Sequence, residues 1–79
     1  MRLDKYLKVS RLIKRRTVAN EACDSSRVLI NDKVAKASTA VKVGDKIEIQ
    51  FGNKSVVVEV LAVEDNVKKD QAKEMYRYL

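Results

Sequence analysis

Apolar residues recur at two different periods along this chain, and the change of period separates helix from strand. Leu3, Tyr6 and Leu7 repeat at helical spacing and predict a short first helix over about Arg2 to Val9. Val18, Ala19, Ala22 and Cys23 form a second helical stripe, with Asn20, Glu21 and Asp24 turned outward. Thr17 is suited to cap that helix, because its hydroxyl can accept a free backbone N–H. After Ser26 the period shortens. Val28, Leu29 and Ile30 lead into the turn-forming pair Asn31-Asp32, and Val34-Ala35 can return beside them. Gly44-Asp45 marks another turn, after which Ile47, Ile49 and Phe51 share one face of a strand. Gly52-Asn53 suits a two-residue hairpin loop, and that loop sets Ile49 opposite Val56 and Ile47 opposite Val58. Ala72, Met75, Tyr76 and Leu79 return to helical spacing and predict a terminal helix, either docked on the sheet or left as a partner-binding or partly frayed tail. The pattern describes an α+β fold: two N-terminal helices packed on a small, mainly antiparallel β-sheet, plus a short C-terminal helix. No repeat or linker interrupts it.

Composition narrows the function. At 79 residues this is one small domain, near the size at which a single core just suffices. A hydrophobic content of 46% with regular periodicity points to a folded chain. No apolar run approaches the ~18 residues of a membrane-spanning helix, and the amino terminus carries charges without a signal-peptide core. Cys23 is the single cysteine, which excludes an internal disulfide and fits a reducing compartment. The expected location is therefore cytoplasmic. Histidine is absent, which removes the commonest general base and metal ligand. No catalytic residue, metal or cofactor is expected. Cys23 reads as a small core residue, with a reactive thiol as the alternative.

Charge is more informative when located than when summed. Residues 1–16 hold seven basic side chains (Arg2, Lys5, Lys8, Arg11, Lys14, Arg15 and Arg16) against Asp4 alone. Residues 17–79 hold ten basic and ten acidic residues, so the whole net charge of +6 sits in the first fifth of the chain. A solvated face needs no such segregation, whereas a polyanion-binding footprint does. Asp4 and Lys8 stand at the i,i+4 spacing of a helical ion pair, worth only a few tenths of a kcal/mol, which leaves Lys8 open to another anion. Arg15 and Arg16 precede the second helix, whose N-terminal amides and partial positive charge add to the attraction.

In order, "RLDKYL", "SRLIKRRTVANEA", "RVLINDKVAKAS" and "VKVGDKIEI" resemble the RNA-binding domain named after small-subunit ribosomal protein S-four. The resemblance covers about residues 2–49, within a domain expected over 1–65 and followed by a C-terminal helical extension over 66–79. It extends to the stand-alone bacterial subgroup of heat-shock protein fifteen, and more closely to its ribosome-quality-control (RqcP) branch, through "MRLDKYLKVSRLIKRRT" and "KKDQAKEMY". Ser26 and Asp32 stand where the family usually carries glycine, the residue that takes positive φ without strain. The resemblance implies binding to obstructed large ribosomal subunits that retain peptidyl-tRNA, with contacts to ribosomal RNA and tRNA. In the quality-control branch it further implies helping an RqcH-like tailing factor add untemplated alanine. By resemblance Arg2 and Arg16 fall on the family's motif positions and are the first candidates for RNA contact. Arg11, Lys14 and Arg15 come next, then Lys8 and Lys5, with Asp4 orienting a basic neighbour rather than touching RNA. A monomer is expected.

Other functions remain open. Enzymes carry this domain fused to a separate catalytic unit, and 79 residues leave no room for one. The heat-shock variant would rescue nascent-chain-tRNA, and a general RNA- or DNA-binding protein would use the basic patch alone. An assembly protein would work through the C-terminal segment.

Overall fold

The computed structural model describes residues 1–79. Its first helix, α1 (Leu3–Val9), starts without a side-chain cap. A distant segment satisfies its free amides instead: Leu3 N–H donates to the Thr39 carbonyl at 2.8 Å and Asp4 N–H to that of Ala37 at 3.2 Å. Val41 N–H in turn donates to the Met1 carbonyl at 2.9 Å, so the N-terminus is tied down on both sides. Arg11 ends α1 in the left-handed region (φ 62°), its N–H donating to the Lys8 carbonyl.

The second helix, α2 (Arg16–Asp24), begins two residues earlier than a Thr17 cap allows. Arg15 is the extended N-cap and its side chain makes no capping bond; Thr17 lies inside the first turn. The earlier start sets Arg16 and Asn20 four residues apart on one helical face. At the other end Ser26 takes φ 60°, Ser26 N–H donates to the Cys23 carbonyl and Arg27 N–H to that of Ala22. This pair of bonds is a Schellman motif, a helix end that favours glycine because it takes positive φ without strain.

Five strands follow in the order β2-β1-β3-β4-β5, all antiparallel: β1 (Val28–Ile30), β2 (Lys33–Val34), β3 (Lys46–Phe51), β4 (Lys54–Val60) and β5 (Tyr76–Tyr78). Asn31 and Asp32 both take positive φ between β1 and β2, as a two-residue hairpin turn of the primed type needs. The β3–β4 register pairs Ile49 with Val56 and Ile47 with Val58, as the hydrophobic alternation requires. Leu3, Tyr6 and Leu7 of α1, Ala19 and Cys23 of α2, and Val28, Ile47, Ile49, Val58 and Val60 of the sheet bury together. Val18 is 46% exposed, so the stripe of α2 narrows to Ala19 and Cys23, with Ala22 half-buried.

The terminal helix does not form. One 3-10 turn over Ala72–Glu74 carries the helical spacing, and β5 then pairs with β4 through Val60–Tyr76, Glu59–Arg77 and Val58–Tyr78. Two tyrosines with strand preference meet the open edge of β4, and that edge decides the outcome. Met75, just before β5, is 1% exposed, and its carbonyl accepts the Tyr6 hydroxyl at 2.8 Å. Burial raises the Tyr6 phenol well above its ordinary pKa. No helix is long and apolar enough to cross a membrane.

Candidate nucleic-acid interface

Asp4 organises the basic face. Its side chain is 3% exposed, yet it carries a charge, so it needs donors. Four supply them: Arg2 Nε at 3.2 Å on Oδ1, Arg16 Nε at 3.3 Å on Oδ2, Asn20 Nδ2 at 3.3 Å on Oδ2, and the Lys5 amide at 2.8 Å on Oδ1. Arg2 adds a longer contact from Nη2 to Oδ2 at 3.5 Å. Burial alone would push the carboxyl up. The hydrogen bonds from Asn20, Arg16 and the Lys5 amide, with the charge of Arg16, outweigh it and hold the pKa below the ordinary 3.8. Asp4 therefore orients basic neighbours, though not Lys8: its oxygens are taken by Arg2, the Lys5 amide, Arg16 and Asn20, and Lys8 stays exposed without an ion pair. Asn20, expected to face out, is half-buried against the same carboxylate.

The remaining basic residues, apart from Arg15, gather around Asp65. Lys8, Arg11 and Lys14 line one hollow together with Asp65, Asn66 and Val67. Lys5 pairs with Asp65 at 3.1 Å, both side chains substantially exposed. Arg15 is exposed at the start of α2 and joins neither group. On the far side of Arg2 a hollow of about 490 Å³ includes Asn20, Ser26, Lys36 and Ser38. Asn20 was legible as a site residue from its i+4 spacing to Arg16. Asp65 and Lys36 carry no local signal, since only the fold brings them near the basic segment. Cys23 is buried, and burial together with the charges of Asp4 and Asp24 pushes its thiol up to about 11, which fits a core residue rather than a nucleophile.

Residues 1–47, which hold this basic face, β1, β2 and the start of β3, match the model of the S4 domain. The chain belongs to the S4 domain family. Over all 79 residues it is 56% identical to the RQC P-site tRNA stabilizing factor of Streptococcus pneumoniae, covering 90% of that protein. The Bacillus subtilis protein of the same name is 54% identical over 79 residues, 92% of its length. Among solved structures, the trimeric Vibrio cholerae heat shock protein 15 superposes with a TM-score of 0.91 at 28% identity, covering 100% of this chain and 81% of that one. The S4-type chain thus keeps the α+β architecture expected of it, with the terminal helix replaced by β5.

Proposed function

We propose that this S4-type chain is a cytoplasmic, non-catalytic RNA-binding factor of ribosome quality control. In this reading it binds large ribosomal subunits obstructed by peptidyl-tRNA, touches 23S ribosomal RNA and the P-site tRNA, and supports alanine tailing by an RqcH-like factor. The observation that carries the reading is whole-length similarity, at 56% identity, to a protein named for stabilizing P-site tRNA, together with a basic face built from the first 16 residues. Arg2 and Arg16 supply planar forks for phosphate oxygens, and Arg11, Lys14, Arg15, Lys8 and Lys5 add charge around them. Heat-shock-type rescue is the second reading, favoured by the Vibrio structure, but the lower identity of 28% ranks it behind. The chain acts as a monomer here, and sedimentation equilibrium separates that from the trimer of the Vibrio structure.

Co-sedimentation with empty large subunits and with subunits carrying peptidyl-tRNA tests the reading. Selective binding to the second, lost in Arg16→Ala, supports a factor that senses obstruction; equal binding to both removes the quality-control role. Arg16→Ala should also lower the slope of log affinity against log salt by roughly 0.7–0.9, the share of one phosphate contact.

A further inference from the structure

A carboxylate at the centre of a polyanion-binding face looks counterproductive, because it cancels charge where charge is wanted. The geometry around Asp4 resolves this. Its donors come from three places: Arg2 from the strapped N-terminal segment, the Lys5 amide from α1, and Arg16 and Asn20 from α2. The two guanidinium groups hold ten N–H donors between them, and only three point at the carboxylate. The other seven remain on side chains 52% and 48% exposed. Each arginine is thus anchored mainly by its inner Nε edge and free at its outer Nη groups. Long side chains lose rotamer freedom when they bind, and an anchored one has lost much of it beforehand.

Resting on the RNA-binding reading above, we propose that Asp4 is the positioning residue of a two-arginine clamp: its buried carboxylate fixes Arg2 and Arg16 side by side so that their outer N–H groups meet RNA phosphate oxygens. Asn20 completes the shell by holding the same oxygen as Arg16, which keeps the carboxylate turned toward α2. The carboxylate raises affinity by ordering the arginines, although its charge opposes the ligand.

The two effects have opposite signs, and Asp4→Asn separates them. Electrostatics alone makes this variant, with one more positive unit, bind RNA more tightly. Loss of positioning makes it bind more weakly, by roughly tenfold if two arginines must be ordered anew. The measurement is affinity for bulk tRNA and for peptidyl-tRNA-bearing large subunits over a salt series, alongside thermal unfolding. Weaker binding that persists at high salt, where a charge bonus is screened, is the expected result. The deficit should also shrink when Asp4→Asn is placed on an Arg2→Ala/Arg16→Ala background; a purely structural role leaves it unchanged there. Should Asp4→Asn not fold, the wild-type chain decides by NMR. Slowly exchanging, dispersed Nε–H signals for Arg2 and Arg16 support the clamp, and averaged signals like those of free arginine overturn it. Tighter or equal binding by a folded Asp4→Asn overturns the clamp while leaving the RNA reading intact, whereas a wild-type chain that binds neither probe overturns that reading itself.

Discussion

Individual residues on the basic face carry costs that packing does not explain. Arg11 takes φ 62° at the end of α1, a conformation that costs a residue with a Cβ about 1–2 kcal/mol. Ser26 carries the same strain at φ 60°, at the end of α2. Replacing either with glycine relieves the strain and adds unfolded-chain entropy of about 0.5–1 kcal/mol, so both variants should gain up to about 1 kcal/mol. Urea unfolding checks the gain. RNA affinity separates the two: Arg11→Gly should lose binding and Ser26→Gly should keep it, so equal affinities would remove Arg11 from the interface. Asp4 makes a different prediction. Its folded pKa lies below 3.8, so the stability it contributes is fully present above the ordinary aspartate value, neutral pH included. It is lost progressively as pH falls from that value through the lower folded pKa. Carboxyl carbon NMR should show Asp4 titrating below 3.8, and a midpoint above that value would contradict the four-donor shell.

At the scale of elements, the C-terminal segment is part of the core rather than an appendage. The Met75 carbonyl accepts N–H groups of Leu61 at 2.7 Å and Ala62 at 3.1 Å as well as the Tyr6 hydroxyl. Arg77 pairs with Glu59 at 2.6 Å, and Leu79 N–H donates to the Val57 carbonyl at 2.9 Å. Removing residues 68–79 therefore strips the fifth strand and a fully buried methionine together. Large-to-small changes of such a side chain cost about 2–5 kcal/mol, a large part of a small domain's stability. The truncated chain should melt far below the full one by circular dichroism. A milder variant, Tyr6→Phe, should cost only about 0.5–1.5 kcal/mol, because the Met75 carbonyl keeps its two amide donors. A truncated chain that melts at the wild-type temperature would show that β5 is dispensable.

For the whole molecule, charge is divided between the two sides of the sheet. The two helices cover the face on which Ile47, Ile49, Val58 and Val60 are buried, and the basic excess lies at Arg2 and in the connection that carries Arg11, Lys14 and Arg15. On the opposite face Lys46, Glu59 and Arg77 lie across from one another, and Lys46 also pairs with Asp32 at 2.9 Å. If all seven basic residues of the first segment met phosphates, the salt slope would reach roughly 5–6 in magnitude. Lys46→Ala should leave that slope unchanged, since its charge is already paired and faces away from α1 and α2. A fall of about one phosphate equivalent would place RNA on the sheet's outer face.

Much of this was legible in the sequence for a physical reason. Period-two alternation over residues 46–60 admits only one register that buries Ile47, Ile49 and Val58 together, so hairpin and face follow from local pattern. Charge segregation is likewise a property of the chain, and it marked the basic segment before any fold was known. Other features depended on residues far apart in the chain. Ala72, Met75, Tyr76 and Leu79 satisfy a helical period, but the open edge of β4 turned Tyr76–Tyr78 into a strand. Thr17 looked like a cap, yet the start of α2 is set where Arg16 reaches Asp4, 12 residues earlier in the chain. Local periodicity fixes which faces are apolar and where the charge lies. Which donors surround a buried carboxylate, and which edge remains for the last strand, are decided by long-range pairing that no local pattern records.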